Sequence, residues 1–168
     1  LTKNFQTIAI AGTHGKTTTA AIVAHLFFKT KQSFTAFVGG VLNEFNSNVI
    51  IEGDRYAIVE ADEYDRSFLN LSPKMGLVTS IDSDHLDIYG NFGEVKKSFE
   101  QFINKITSKV VVSKDVGIKG ITYSLNNEAD YSAYNISFSN KGYYFDLKTP
   151  SNTYKSVFFS QLGLHNLL

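Results

Sequence analysis

Ile8-Ala9-Ile10-Ala11-Gly12-Thr13-His14-Gly15-Lys16-Thr17-Thr18-Thr19 decides the fold. An apolar, partly β-branched run reaches back to Phe5 and stops at Gly12. Gly-Lys-Thr follows three residues on, and an Ala-rich apolar segment opens at Ala20. The pattern predicts a strand, a glycine turn and a helix that starts with a lysine and hydroxyls. Such a turn suits phosphate. Glycines let backbone approach an anion, and the first N–H groups of a helix lack intrahelical partners and carry the positive end of the dipole. Lys16 is placed to reach the outer phosphates and Thr17 to offer its hydroxyl to magnesium. The spacing is tighter than G-x-x-x-x-G-K-[ST], because Ile10 stands five residues before Gly15 and the glycine present is Gly12. Gly-Lys-Thr alone is common, but a threonine run is a poor helix interior and a good helix start, which favours the phosphate reading over a plain turn.

Composition sets the class. With 168 residues, 43% hydrophobic content, 14 Phe and 9 Tyr, the chain can build a sizeable core. Lys+Arg and Asp+Glu number 16 each, so no basic excess points to nucleic acid or an anionic membrane surface. Cysteine is absent, which removes disulfides and Cys-ligated metal. No apolar run is long enough to span a bilayer and no leader pattern opens the sequence, so a cytoplasmic protein without membrane or nucleic-acid partners is expected. Starting at Leu1 and entering a strand almost at once, the sequence is expected to be part of something longer.

Further along, Lys16 to Lys29 is expected as a helix, with Ile22, Val23, Leu26 and Phe27 on one side and Ala20, Ala21 and Ala24 allowing close packing. His25, within it, is read as structural. Thr35–Val38 is a short strand ending at Gly39-Gly40, a turn or a close backbone approach. Gly53-Asp54, between two apolar runs, predicts a two-residue hairpin. Tyr56–Val59 is a buried strand running into Glu60, Asp62, Glu63 and Asp65. A carboxylate at the C-terminal end of a strand beside a phosphate loop can hold magnesium, which singles out Glu60 over a merely solvated acidic turn. Met75–Ile81 repeats the layout and ends in Asp82-Ser83-Asp84-His85-Leu86-Asp87, where His85 is a candidate metal or phosphate contact. Phe92 to Ile106 is an amphipathic helix with Val95, Phe99, Phe102, Ile103 and Ile106 in one stripe. Beyond it, Ile121–Ser124, Tyr131–Phe138, Tyr143–Leu147 and Tyr154–Phe159 form a β-meander, expected to be antiparallel. The expected fold is therefore α/β: a P-loop NTPase-like, mostly parallel sheet flanked by helices, over about residues 1–118, with a small antiparallel β appendage over about 119–162.

Ala11–Thr19 as A-G-T-H-G-K-T-T-T, Val59–Phe68 as V-E-A-D-E-Y-D-R-S-F, Thr79–Gly90 as T-S-I-D-S-D-H-L-D-I-Y-G and Gly163–Asn166 as G-L-H-N resemble the Mur ligases. The resemblance covers nearly the whole chain, but only the central ATP-binding domain of a three-domain enzyme; the amino-terminal UDP-sugar domain and the carboxy-terminal Rossmann-like domain have no counterpart in it. It implies that Gly12, Thr13, His14, Gly15, Lys16, Thr17 and Thr18 hold the ATP phosphates. Lys16, Glu60 and His85 are the implied catalytic set. Thr17, Glu60 and His85 are the implied Mg2+ ligands, and His165 and Asn166 the implied adenine-side motif. The implied reaction, in peptidoglycan precursor synthesis, joins UDP-N-acetylmuramate to L-alanine through an acyl phosphate, with release of ADP. Two alternatives stand beside it: a family branch that adds a tripeptide to the same acid, and a phosphate-loop module without ligase chemistry. The S-I-D-S-D-H-L-D-I-Y-G stretch is more similar to the L-alanine branch.

Overall fold

In the computed structural model, the described residues are 4–82, 89–125, 128–139 and 142–159 (Phe159 by its backbone only). The chain divides into two compact units, Leu1–Val110 and Val111–Leu168.

In the first unit, β1 (Gln6–Ala11), β2 (Phe34–Leu42), β3 (Ser47–Ile51), β4 (Tyr56–Glu60) and β5 (Met75–Val78) stand in the order β5-β1-β4-β2-β3. β5, β1, β4 and β2 run parallel, and β3 closes the edge antiparallel to β2. The mostly parallel α/β reading thus holds. β1 is buried between two neighbours, which is why its residues are apolar almost throughout. Its register places Ile10 beside Glu60 and Ala11 beside Val78. The loops after β1, β4 and β5 therefore leave the sheet at one edge.

Helix α1 (Lys16–Lys29) packs on this sheet through Ala20 and Ala24, both fully buried. Small side chains at i and i+4 let the helix backbone come close to the strands. Val23, Phe27 and Phe28 flank that contact against a core of Ile10, Phe34, Ala36, Val38, Ile50 and Ile58. The inward stripe thus runs Ala20, Ala24, Phe27 and Phe28. Leu26, expected in the stripe, lies about 200° round the helix from Ala24 and is exposed. Phe27 meets Phe34 and Tyr56 edge-on, with centroids 5.8 and 5.3 Å apart. Helix α2 (Phe92–Ile103) is capped by the Asn91 side chain, which accepts from Glu94 N at 3.1 Å. Three residues of its expected stripe, Val95, Phe99 and Phe102, are buried, and Phe68 stacks on Phe102 at 4.9 Å and meets Phe99 at 5.3 Å; the helix ends at Ile103, so Ile106, expected in the stripe, lies beyond it.

Of two local readings at glycines, one is corrected and the other resolved. The Gly53-Asp54 hairpin does not form, since β3 and β4 are not neighbours. Gly53, at φ 137°, is pressed against Ser33, whose hydroxyl accepts from Asp54 N at 3.0 Å, while the Gly53 carbonyl accepts from Thr35 Oγ1 at 2.7 Å. These contacts carry the chain past the start of β2 and deliver it to the strand's other side. Gly39-Gly40 is not a turn but lies inside β2, and its role is the close approach described below.

From the unit boundary onward, β6 (Lys109–Ser113), β7 (Ile121–Leu125), β8 (Tyr131–Ser139), β9 (Gly142–Lys148) and β10 (Thr153–Phe159) pair in sequence order. β8, β9 and β10 are antiparallel as expected. β7 and β8, expected antiparallel, run parallel, as do β6 and β7. The cause is local. The Asp130 carboxylate accepts from Thr122 N and Oγ1 at 2.7 and 2.8 Å, which pins the start of β8 beside the start of β7. Those hydrogen bonds hold the Asp130 carboxyl below the usual carboxylate range.

Truncating Phe99, which is fully buried against Phe68, is expected to cost about 3–5 kcal/mol in a denaturant melt. In the second unit, burial and then the charge of Asp115 push the Tyr123 phenol up to about 12. Its stabilising contribution is full below an unfolded-chain pKa of about 10 and is lost as pH rises through the folded value. Melting temperatures between pH 10 and 12 should fall less steeply in Tyr123→Phe than in the wild type.

Candidate functional site

The C-terminal edge of the first unit's sheet gathers the sequence-predicted groups. After Ala11 the chain turns at Gly12, at φ 134°, where a Cβ would lie 2.0 Å from Thr79 Oγ1 and 2.9 Å from the backbone nitrogens of Thr79 and Ser80. Only glycine fits both that conformation and that space. The loop is then stitched to the end of β5. Thr13 N donates to the Ser80 carbonyl at 3.0 Å, His14 N to Ser80 Oγ at 3.0 Å, and Asp82 N to Thr13 Oγ1 at 2.9 Å. The His14 ring faces Asp82 at 3.5 Å, both side chains well exposed. Gly15 precedes α1 in the left-handed region, at φ 81°, and among the described residues no side chain caps the helix. Among those residues, the first-turn N–H groups of this 14-residue helix thus face the loop without a side-chain acceptor. Thr18 lies in that first turn.

Glu60 is gripped at the end of β4. Its Oε2 accepts from Gly39 N at 2.6 Å, and its Oε1 accepts from Thr17 Oγ1 at 2.8 Å. A Cβ on Gly39 would lie 2.7 Å from Glu60 Oε2, so the glycine in β2 is what lets the carboxylate sit there. Two hard oxygen donors, a carboxylate and a hydroxyl, are therefore adjacent. That donor set suits Mg2+, which takes one or two protein oxygens and completes its shell with water and phosphate oxygens. Among the described residues, no group of three or more His, Asp or Glu side chains forms a fuller metal cage.

Lys16 folds back over the loop. Its ammonium donates to the Gly12 carbonyl at 2.7 Å and lies 2.9 and 2.8 Å from Glu63 Oε1 and Oε2. Glu63 is 2% exposed. Sequence reasoning named Glu63 within the acidic cluster but assigned it no role. No sequence signal marked it: Ala61 and Glu63 are buried while Asp62 and Tyr64 are exposed, but Ala-Asp-Glu-Tyr shows no matching apolar alternation. Asp62 and Asp65 are turn formers: their carboxylates accept from Tyr64 N at 3.0 Å and from Ser67 N at 3.1 Å. Tyr89 OH donates to the Glu63 carbonyl, and burial followed by the Glu63 charge pushes the Tyr89 phenol up, keeping it a neutral donor. His25 pairs with Glu44 at 2.6 Å, away from this edge. The structure thus brings together Gly12, Thr13, His14, Gly15, Lys16, Thr17, Thr18 and Glu60. His85, His165 and Asn166 lie outside the described residues.

A strand, a glycine-lined loop, an uncapped helix start with a lysine folded over it, and a carboxylate beside the first-turn threonine define a phosphate-loop α/β domain. Residues 10–168 match the Mur ligase middle domain, and the chain belongs to the Mur ligase family. It is 48% identical over 163 residues to a UDP-N-acetylmuramate–L-alanine ligase of Christiangramia forsetii, a match covering 96% of this chain and 36% of that protein. Among solved structures, UDP-N-acetylmuramate-alanine ligase MurC of Thermotoga maritima superposes with a TM-score of 0.84 at 26% identity, over 96% of this chain and 38% of the other. The UDP-N-acetylmuramate:L-alanyl-gamma-D-glutamyl-meso-diaminopimelate ligase (MPL) of Neisseria meningitides gives a TM-score of 0.80 at 22% identity, over 99% of this chain and 59% of the other. The chain spans little more than a third of the length of the curated relatives it matches.

Gly12→Ala is expected to destabilise the first unit by at least about 1–3 kcal/mol, the cost of a non-glycine residue in a disfavoured conformation, with the Thr79 clash added. A denaturant titration against the wild type measures it.

Proposed function

We propose that this chain is the ATP-binding part of a cytoplasmic ligase that joins UDP-N-acetylmuramate to L-alanine. The observation that carries the reading is the pairing of Thr17 with Glu60 at the mouth of a loop whose lysine is held over Gly12. In this reading the amides of Gly15–Thr18 and the Lys16 ammonium bind the β- and γ-phosphates of ATP. Thr17 and Glu60 hold Mg2+, and bound Mg2+ supplies charge neutralisation on the phosphate oxygens. The chemistry needs no nucleophile from the protein. The lactyl carboxylate of the acid attacks the γ-phosphorus, the β–γ bridging bond breaks and ADP leaves. The amine of L-alanine then attacks the acyl carbon, and phosphate departs from the tetrahedral intermediate. The protein's part in the first step is positioning and charge stabilisation, which suits a lysine and a glycine-lined cradle.

Supporting the L-alanine branch over the tripeptide branch is the 48% identity to a relative that bears the L-alanine name. Supporting ligase chemistry over a bare binding module is the family's middle-domain match along residues 10–168. His85, beyond the end of β5, is proposed as a further metal or phosphate contact, and His165 and Asn166 as the adenine-side pair.

The test is thermal stability with and without Mg2+-ATP for the wild type, Lys16→Ala and Glu60→Ala, each against its own ligand-free baseline. The separate baselines matter, because removing Lys16 leaves the buried Glu63 carboxylate without its cation, a loss of about 3–5 kcal/mol. At a hundred times its Kd, nucleotide should stabilise the wild type by about 2.7 kcal/mol and neither variant. A wild-type shift that persists in both variants contradicts the assignment. The 168-residue chain by itself is expected to form no UDP-N-acetylmuramoyl-L-alanine, since it spans about a third of its relatives; product detected by mass spectrometry would overturn that expectation.

A further inference from the structure

The lysine of a phosphate loop serves the phosphates, yet here its ammonium is already engaged. One of its three donors goes to the Gly12 carbonyl at 2.7 Å and another to Glu63 Oε1 at 2.9 Å, and the nitrogen lies 2.8 Å from Glu63 Oε2 in an ion pair. The Lys16 side chain is 15% exposed and that of Glu63 3%. Water therefore screens this pair poorly, and the carboxylate is held in place on its own side. Its backbone carbonyl accepts from the Tyr89 hydroxyl, and the Tyr89 ring is covered by the Arg66 guanidinium at 5.2 Å. Directly after Glu63 and Tyr64, two consecutive non-glycine residues, Asp65 and Arg66, adopt left-handed conformations at φ 49° and 63°. Such conformations persist only where surrounding contacts enforce them. The turn thus fixes where Glu63 points, and it points at the loop lysine and not into solvent beside Asp62 and Asp65.

We propose that Glu63 is a built-in counter-ion that positions Lys16 over the phosphate loop before nucleotide arrives and is displaced from the ammonium by the nucleotide's phosphates. This rests on the phosphate-site reading above and adds a residue to it. The physical logic has two parts. Without nucleotide, Glu63 neutralises a partly buried ammonium and keeps the side chain folded over Gly12, so the loop does not have to be rebuilt when ligand binds. With nucleotide, the carboxylate remains as a fixed negative charge facing the incoming phosphates, and it lowers their affinity. Glu63 is therefore a positioning residue whose charge, not only its shape, sets how tightly phosphate is held. Glu60 acts differently. It sits at the Thr17 hydroxyl and the Gly39 amide, where a bound metal would take its charge, and among the described residues the carboxylate paired with the lysine is that of Glu63.

The experiment uses the whole chain and metal-free pyrophosphate as probe, so the readout does not depend on turnover or on magnesium. Glu63→Gln keeps the shape and can still accept from Lys16, but it removes the charge. Calorimetric titration is expected to show pyrophosphate bound about tenfold more tightly by Glu63→Gln than by the wild type, with a lower ligand-free melting temperature. A purely structural role for Glu63 would lower the melting temperature without tightening the affinity, so an unchanged or weakened affinity in the variant overturns the proposal. If the wild type binds neither pyrophosphate nor Mg2+-ATP, the phosphate-site reading itself has failed, and this inference with it. A measurement on the wild type guards against a variant that does not fold. The 13C resonance of the Glu63 side-chain carboxyl should move during pyrophosphate titration with the midpoint found by calorimetry, as the ammonium leaves it. A resonance that stays fixed through saturation overturns the displacement.

Discussion

The parallel pairing of β1 between β4 and β5 is the constraint on which the rest depends. It sets Ile10 beside Glu60 and Ala11 beside Val78, and so it brings the phosphate loop, the acidic turn and the end of β5 to one sheet edge. Everything at that edge is short-range once the register is set. Ala61 N donates to the Ile10 carbonyl and Thr79 N to the Ala11 carbonyl, extending the ladder one step beyond each strand. A slip of one residue in β4 would turn Glu60 to the opposite face of the sheet and take it from Thr17 and Gly39.

Glycine does at two positions what no side chain could. Gly12 lets the loop lie against Thr79 and Ser80, and Gly39 makes room for the Glu60 carboxylate and gives it an amide donor. Charge does the rest. Each acidic residue of the turn has a separate use. Glu60 faces a hydroxyl and an amide, Asp62 and Asp65 form the turn, and Glu63 is buried against Lys16. The like charges do not crowd one another, because Ala61, Asp62 and Glu63 alternate between inside and outside.

Much of this was legible in the sequence because it is local. The run from Ile8 to Thr19 announces strand, turn and helix through hydrophobicity, glycine placement and the threonines. Glu60 declares itself by following an apolar strand directly. The Phe99–Phe102 stripe follows from helical spacing. What was not legible depends on partners distant in sequence. Gly53-Asp54 has the composition of a hairpin turn, but Ser33 and Thr35 claim its backbone groups and send the chain across β2. Leu26 has the hydrophobicity of a core residue, but Ala20 and Ala24 set the helix's inward face. The parallel β7–β8 pair hangs on one carboxylate, Asp130, bonded to Thr122. Glu63 was hidden for the same reason: nothing near it in sequence reveals that Lys16 lies within 3 Å.

The central claim is that nucleotide phosphates bind at the C-terminal ends of β1 and β4. An open depression at the far end of α1, lined by Phe28, Lys29, Lys31, Gln32, Ser33 and Glu52, is the rival location on the first unit. Amide chemical-shift mapping during a Mg2+-ATP titration decides between them. The account predicts that the largest changes fall on Gly12–Thr18, Gly39 and Glu60. Changes gathered instead around Phe28–Ser33 and Glu52, with the loop amides unmoved at saturation, would contradict it.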